Sequence, residues 1–205
     1  PPVLGSAFIL LLSFVAMLVP AKKSSRQAAI GWMLHRACRI LVGYAAFIHP
    51  KRIGPDGEMI RSCNGEAGVI VANHQSSLDI IMILATFPKV KFMVADWVLT
   101  SPLFGVISRF LGYYSRSEGY EKSLERLRVD VADGWCLAVF PEGTRSLNGK
   151  IKRFHKGAFY LASQVGVPVI PVVFYGNWRI APKNQGFNMT EGIAVTEILP
   201  PVQSA

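Results

Sequence analysis

The sequence contains few acidic residues and few cysteines. Its 205 residues include 13 Asp and Glu against 22 Lys and Arg, which gives a formal net charge of +9. A basic surface favours anionic partners such as nucleic acids, lipid headgroups or acidic small molecules. The sequence has no nucleic-acid-binding motif, and its aromatic residues lie within apolar runs rather than between Lys and Arg. We therefore expect membrane lipids or an anionic metabolite as partners, and no nucleic acid.

The three cysteines, Cys38, Cys63 and Cys136, have neither a paired nor a metal-binding spacing. Disulfide frameworks and zinc sites need such a spacing, so we expect reduced, inert thiols, with Cys136 in a strand. The sequence also lacks internal repeats, low-complexity segments and a Gly-x-Ser-x-Gly motif. The last of these absences argues against a serine hydrolase of the α/β-hydrolase type.

Apolar residues, in contrast, are abundant. They make up 51% of the sequence against 17% charged residues, enough for one domain with a substantial core. The chain begins at Pro1 without a methionine and ends shortly after Pro200 and Pro201. We therefore expect it to be a piece of a longer protein.

The N-terminal part of the sequence predicts membrane association. Residues 3–19 form an uncharged apolar run slightly shorter than the ~20 residues that cross a bilayer, so they could span the membrane or lie in it. Lys22, Lys23 and Arg26 follow directly, which predicts a cytoplasmic location for the rest of the chain. Residues 28–47 have apolar side chains at helical spacing with basic interruptions. This pattern predicts an amphipathic helix at the membrane interface, and a helix packed on the protein core is the alternative.

From residue 69 onward, apolar runs alternate with helical patterns. We predict strands at residues 69–72, 90–94, 113–114, 136–140 and 168–174, and helices near residues 77–86, 101–110, 118–132 and 156–164. Residues 50–68 are rich in turn-forming residues and are predicted to be turns. The alternation predicts an α/β fold with a mostly parallel central sheet flanked by helices.

Two short polar segments directly follow two of the predicted strands. Residues 73–79 read Asn-His-Gln-Ser-Ser-Leu-Asp, and residues 140–146 read Phe-Pro-Glu-Gly-Thr-Arg-Ser. In open α/β sheets, ligands bind in the crevice outside the carboxyl ends of the strands. We therefore expect the two segments to share one site for an anionic substrate.

His74 and Asp79 in the first segment are candidate catalytic residues. If the helix begins after His74, with Ser76 or Ser77 as its N-cap, Asp79 falls in the first turn, where the helix dipole favours a carboxylate. Its oxygen can then reach one imidazole nitrogen, and the other nitrogen can accept a proton from the substrate. The alternative is that Asp79 merely caps its helix and His74 is a polar turn residue. The remaining histidines are weaker candidates: His35, His49 and His155.

The second segment has the composition of an anion site. Gly143 allows a tight turn that exposes backbone N–H groups, and Arg145 offers a fork of donors for phosphate or carboxylate. Four basic residues follow within a short distance: Lys150, Lys152, Arg153 and Lys156. A solvated basic loop is the alternative interpretation for these four.

The segments resemble the motifs of the glycerophospholipid acyltransferases, a family whose type member is 1-acyl-sn-glycerol-3-phosphate acyltransferase. The four matching stretches, in order, are residues 73–79, 112–116, 140–146 and 167–172. The resemblance implies a glycerol-3-phosphate acyltransferase-like fold. It also implies a catalytic domain at residues 51–205 after an N-terminal hydrophobic segment and interfacial helix at residues 1–50.

By this resemblance, His74 is the general base on the acceptor hydroxyl and Asp79 orients it. The substrate-binding residues that it implies are Gly112, Arg116, Glu142, Gly143, Thr144 and Arg145. Pro168 and Pro171 belong to the fourth motif, which is associated with the acyl donor.

The implied activity is that of a membrane-associated O-acyltransferase in phospholipid biosynthesis. Its active site would lie on the cytoplasmic face of the membrane. It would move an acyl chain from acyl-CoA or acyl-carrier protein to a lysophospholipid such as 1-acylglycerol-3-phosphate, with no cofactor and no metal ion.

One part of the sequence departs from the family pattern. Many members carry a Lys-Glu pair before a Pro-x-x-Gly, whereas residues 94–97 here read Val-Ala-Asp-Trp, and residues 113–115 replace a more aliphatic run. Both changes lie on the acceptor side, so a different lysolipid or amphiphile is an alternative acceptor. Two further alternatives are a non-catalytic lipid-binding module of a larger protein and a hydrolase that uses water.

Overall fold

The computed structural model of the chain describes residues 20–45, 48–60, 66–102, 104–183 and 189–203. The predicted membrane segment at residues 3–19 lies outside these ranges, and so does Cys63. Among the described helices, none combines the length and the apolar character needed to cross a bilayer.

Helices and strands alternate along the described chain. The strands are β1 (Ile48–Ile53), β2 (Val69–Ala72), β3 (Val90–Val94), β4 (Tyr114–Ser115), β5 (Cys136–Val139), β6 (Val169–Tyr175) and β7 (Gly192–Ile198). The helices are α1 (Lys23–Tyr44), α2 (Leu78–Thr86), α3 (Asp96–Thr100), α4 (Gly105–Leu111), α5 (Tyr120–Ala132), α6 (Gly157–Val165) and α7 (Asn177–Ile180).

The strands form one sheet in the order β1-β7-β6-β2-β5-β3-β4. The pairing of β6 with β7 is antiparallel, and the other described pairings are parallel. The predicted mostly parallel sheet is therefore confirmed. Strands β2 and β3 have the predicted bounds, and the bounds of β4, β5 and β6 differ from the prediction by one residue.

Strands β1 and β7 were not predicted from the sequence. Residues 50–53 belong to β1 rather than to a turn, and Pro50 is compatible with this strand because β1 lies at the edge of the sheet. The predicted domain boundary between residues 50 and 51 falls inside β1. In β7 the side chains alternate between buried and partly exposed, as in a strand with one covered face.

The helix predicted at residues 101–110 starts later than predicted, as α4 at Gly105, and the separate helix α3 precedes the predicted range. Ser101 ends α3 with an extended backbone, at φ −60° and ψ 134°. The following Pro102 disfavours helical geometry at the residue before it, so the helix breaks here and α4 begins at Gly105.

Two apolar cores cover the two faces of the central strands. Ile70 of β2 packs in a core with Met82 of α2, whereas its neighbour Val71 packs with Leu127 of α5 and Leu161 of α6. Successive strand residues point to opposite faces, so both faces of β2 are buried. Burial on both sides explains why these strands consist of uninterrupted apolar residues.

Helix α1 packs on the protein through part of its predicted apolar face. The buried residues of that face include Ile30, Leu34 and Ala37. At these positions α1 is therefore a helix packed on the protein core, the alternative to an interfacial helix. Trp32 and Tyr44 of the same helix are 56% and 69% exposed. Contact between α1 and a membrane stays a prediction.

Candidate active site

The loops that follow β2 and β5 lie side by side, because these two strands are parallel neighbours in the sheet. The N–H of Ser146 donates to the carbonyl oxygen of His74 at 2.8 Å. The N–H of His74 donates to Oε1 of Glu142 at 2.7 Å. The two polar segments identified in the sequence are thus joined at the carboxyl ends of the strands, where they were expected.

His74 and Asp79 are in direct contact. Nδ1 of His74 lies 2.9 Å from Oδ2 of Asp79, which is in the first turn of α2 and has a fully buried side chain. A carboxylate only accepts hydrogen bonds, so we assign the ring proton to Nδ1 and the lone pair to Nε2. In this tautomer His74 can take a proton from a hydroxyl group.

Further donors fix the carboxylate of Asp79. Oδ2 also accepts the backbone N–H groups of Gln75 and Ser76, at 2.6 and 2.8 Å. Oδ1 accepts Nδ2 of Asn177 at 2.7 Å. Both oxygens are therefore engaged, which holds the carboxylate against His74. Asn177, the first residue of α7, is 98 positions away in the sequence and was not identified from it.

Phe140 fixes the plane of the imidazole ring. The rings of His74 and Phe140 stack with their centroids 3.9 Å apart and their planes inclined by 15°. The side chain of His74 is 13% exposed. Because Nδ1 is engaged by Asp79, Nε2 is the ring nitrogen that remains for a substrate.

Two serines share the start of α2. The hydroxyl of Ser77 makes no capping hydrogen bond and instead accepts Nη1 of Arg145 at 2.6 Å. The hydroxyl of Ser76 accepts the N–H of Leu78 at 3.1 Å and donates to the carbonyl oxygen of Ala181 at 2.7 Å. Of the two predicted N-caps, Ser76 therefore supplies the side-chain acceptor, and Ser77 connects the helix start to the anion turn.

Glu142 is buried between the two loops. Its Oε1 accepts the N–H of His74 at 2.7 Å, and its Oε2 accepts the N–H of Lys152 at 2.9 Å. Both carboxylate oxygens therefore hold backbone of the site. Direct binding of substrate by Glu142 stays a prediction.

Cationic side chains surround the turn at Gly143. This residue has φ 72°, in the left-handed region that favours glycine, and its carbonyl oxygen accepts Nη1 of Arg116 at 3.3 Å. Arg145 follows two residues later, and Nζ of Lys183 donates to the hydroxyl of Thr144 at 3.1 Å. The structure thus brings together the predicted residues Arg116, Gly143, Thr144 and Arg145. The guanidinium groups of Arg116 and Arg145 can present positive charge and hydrogen-bond donors to a phosphate.

Gly112 lies at the opposite end of β4 from Arg116. It ends α4 with φ 73°, and its carbonyl oxygen accepts a hydrogen bond from Nη2 of Arg126. A left-handed residue at this position is the usual end of a helix and accounts for the glycine. The predicted role of Gly112 in substrate binding stays a prediction.

The stretch that departs from the family pattern places an acid beside Arg116. Oδ1 of Asp96 accepts hydrogen bonds from the hydroxyls of Ser115 and Ser117, the latter at 2.9 Å. These bonds, the one from Ser115 foremost, lower the pKa of Asp96. An ionised carboxylate is therefore held next to the segment that carries Arg116.

Comparison with known proteins assigns the chain to a family. A family model described as Acyltransferase matches residues 55–175, which is more than half of the chain. The chain belongs to the acyltransferase family. The resemblance identified in the four motifs is therefore confirmed.

Relatives of this acyltransferase-family chain include two proteins named 1-acyl-sn-glycerol-3-phosphate acyltransferase. The chloroplastic protein of Brassica napus is 36% identical over 118 residues, which are 56% of this chain and 34% of that protein. The Saccharomyces cerevisiae protein is 35% identical over 148 residues, 66% of this chain and 47% of that protein. The chain thus spans about a third to a half of the length of these curated relatives.

The fold of this acyltransferase-family chain is similar to that of a crystal structure. The 1-acyl-sn-glycerophosphate acyltransferase PlsC from Thermotoga maritima matches with a TM-score of 0.73 and 26% sequence identity. The match covers 98% of this chain and 79% of that chain. The predicted α/β fold, with a mostly parallel sheet flanked by helices, is confirmed.

Proposed function

We propose that the chain transfers a fatty acyl group from a thioester donor to a hydroxyl group of a lysophospholipid such as 1-acylglycerol-3-phosphate. The observation that carries this proposal is the contact between His74 and Asp79. It leaves Nε2 of a partly buried, oriented imidazole as a proton acceptor beside a cationic turn.

The proposed reaction is a direct attack by the acceptor. Nε2 of His74 takes the proton of the acceptor hydroxyl while the hydroxyl oxygen forms a bond to the thioester carbonyl carbon. The tetrahedral intermediate then expels the thiolate, which takes the proton back from the imidazolium. Asp79 stabilises the imidazolium while the proton resides there. Backbone N–H groups of the two loops are the candidates for stabilising the oxyanion.

The charges around Gly143 suit the phosphate of the acceptor. Arg116 and Arg145 are the proposed ligands, since guanidinium groups can offer two parallel donors to phosphate oxygens. The names of the relatives support 1-acylglycerol-3-phosphate as the acceptor. Asp96 beside Arg116 favours, as a second candidate, a lysophospholipid whose headgroup carries less negative charge. The proposed donor is acyl-CoA or acyl-carrier protein.

The proposed setting is the cytoplasmic face of a membrane. Large apolar side chains next to the site are exposed, among them Trp97 at 68%, Leu147 at 55% and Ile151 at 58%. Exposed aromatic and aliphatic groups can insert between lipids, and the basic residues around them attract anionic headgroups. The acceptor could therefore reach His74 without leaving the bilayer.

The test is acyl transfer with a panel of lysophospholipids and with labelled acyl-CoA or acyl-carrier protein, followed by mass spectrometry of the products. His74→Ala and Asp79→Asn should each lower the transfer rate by about 10²–10⁴-fold. His49→Ala is the matched control, because His49 is exposed and lies on the edge strand β1. Acyl-transfer rates close to wild type in both His74→Ala and Asp79→Asn would contradict the mechanism. Free fatty acid as the main product in the presence of an acceptor would indicate a hydrolase instead.

A further inference from the structure

An open cavity lies at the β4 edge of the sheet. It has a volume of about 550 Å³, is open to solvent, and is bordered by the start of α1, the end of α4 and the start of α5. Its basic lining residues are Lys23, Lys91, Arg109, Lys122 and Arg126. No acidic residue of the described chain lines it, and neither His74 nor Asp79 does. We call this the edge cavity.

Two of the five cations are held in place by acids that lie behind the cavity wall. Nζ of Lys91 contacts Oδ1 of Asp130 at 2.6 Å, and Nη1 of Arg126 contacts Oε2 of Glu118 at 2.5 Å. The hydroxyl of Tyr114 also donates to Asp130, at 2.6 Å. The side chains of Lys91 and Arg126 are therefore oriented before any ligand arrives.

The other three cations have no acidic partner. For Lys23, Arg109 and Lys122, no carboxylate in the described part of the chain lies within 4.0 Å. Like charges that face one cavity repel each other, and the repulsion is relieved when an anion binds among them. The edge cavity therefore carries an excess of positive charge.

Two of the five cations, Lys91 and Arg126, meet beside Gly112 in the cavity wall. A Cβ atom placed on Gly112 would lie 3.6 Å from Nη2 of Arg126 and 3.7 Å from Nζ of Lys91. The guanidinium of Arg126 also packs over the ring of Tyr114, 4.1 Å from its centroid. An oriented guanidinium next to an ammonium group matches an anion with several oxygens, of which phosphate is the usual biological example.

We propose that the edge cavity binds a phosphate ester. Its volume lies in the range of about 300–1,000 Å³ found for small-molecule sites. Two sources carry this chemistry: the nucleotide end of coenzyme A and the headgroup of an anionic phospholipid such as phosphatidate. The cavity shares no lining residue with the pair of His74 and Asp79, so binding there can be measured separately from acyl transfer. Gly112, one of the predicted substrate-binding residues, does line it.

The test compares two triple variants with equal net charge. The first variant, Lys23→Gln/Arg109→Gln/Lys122→Gln, removes the three exposed cations of the edge cavity that have no acidic partner in the described part of the chain. Lys51→Gln/Lys89→Gln/Arg128→Gln removes three exposed cations that do not line it. Binding is measured for both variants and for the unchanged chain. Titration calorimetry is used with inorganic phosphate and with adenosine 3′,5′-bisphosphate. Sedimentation is used with phosphatidylcholine vesicles, with and without phosphatidate.

We expect the first variant to bind at least about tenfold more weakly than the second, since each lost charged contact costs on the order of 1 kcal/mol. If the first variant loses binding to the bisphosphate, the ligand of the edge cavity is the nucleotide end of coenzyme A. If it loses binding to phosphatidate vesicles, the ligand is the lipid headgroup. Equal binding by the two triple variants, or no binding by the unchanged chain, would overturn the proposal. His74→Ala should keep this binding whether or not it transfers acyl groups, so the two proposals can fail separately.

Discussion

The side-chain amide of Asn177 donates to Oδ1 of Asp79, the carboxylate oxygen that His74 does not use, at 2.7 Å. Both side chains are completely buried. Asn177 belongs to α7, which follows β6, whereas Asp79 belongs to α2. The orientation of His74 therefore depends on a helix that lies far from it in the sequence, and we propose Asn177 as a positioning residue for the pair of His74 and Asp79.

Asn177→Ala should lower kcat by about 10- to 100-fold, because a misplaced catalytic group has effects of this size. KM for the acceptor should stay close to the wild-type value, since the cationic turn is unaltered. Steady-state kinetics with both constants resolved make the measurement, and urea unfolding shows whether the variant is folded. A raised KM with an unchanged kcat would contradict the positioning role.

Phe140→Ala should lower kcat by about tenfold. The stacked ring is worth about 0.5–1.5 kcal/mol beyond its burial, and without it the imidazole gains freedom to tilt. Phe140→Tyr keeps the aromatic face and should retain most of the activity. Phe159→Ala, at a residue 39% exposed on α6, is the control for loss of an aromatic ring elsewhere. Equal activity of Phe140→Ala and Phe159→Ala would show that the stacking is irrelevant to the reaction.

Arg145→Gln should raise KM for an anionic acceptor by about tenfold, since a hydrogen bond to a charged group contributes about 1.5–3 kcal/mol. Arg145→Lys keeps the charge without the planar fork and should give an intermediate KM. Arg153→Gln removes an exposed arginine of the same basic loop and should have little effect. If Arg153→Gln raised KM and Arg145→Gln did not, the phosphate contact would belong to the loop rather than to the turn.

His35 should make stability depend on pH in the acidic range. Burial lowers the pKa of His35 from its ordinary value of 6.5, although the hydrogen bond to the carbonyl oxygen of Leu84 acts in the opposite direction. Below pH 6.5 the unfolded chain therefore binds a proton that the folded chain excludes, so the free energy of unfolding falls as the pH falls. Above pH 6.5 this contribution to stability is fully present.

The measurement for His35 is the free energy of unfolding in urea from pH 7.5 to 5. His35→Gln cannot titrate and should show a flatter dependence over the range below pH 6.5. An unchanged slope in His35→Gln would mean that another group causes the dependence.

The central strands were predictable because they are buried on both faces. Apolar runs such as residues 69–72 and 136–139 have no other stable location in a chain of this composition. Strand β1 was not predictable in this way, because an edge strand with His49, Pro50 and Lys51 is exposed and its sequence resembles a turn. Its place is decided by pairing with β7, at the other end of the chain.

The local part of the site was predictable for a similar reason. His74 and Asp79 are five residues apart, and helix geometry with the dipole limits where the carboxylate can point. Asn177 and Phe140 meet this pair only through the order of the strands, which juxtaposes residues distant in sequence. The hydrogen bonds that Glu142 accepts from the N–H groups of His74 and Lys152 also depend on that order, since these two residues follow different strands.

The carboxylate of Glu142 has a consequence for local unfolding. Opening the loop after β2 would take the N–H of His74 away from the buried Oε1 of Glu142, and opening the loop after β5 would withdraw that carboxylate from the same N–H. Either loss costs about 1–3 kcal/mol. The loop with the proposed base and the loop with the anion turn should therefore open together, as one cooperative unit. A molecule in which His74 is displaced should then also lose the contacts of the anion turn with the proposed acceptor, so partial opening should release the lipid before it reacts.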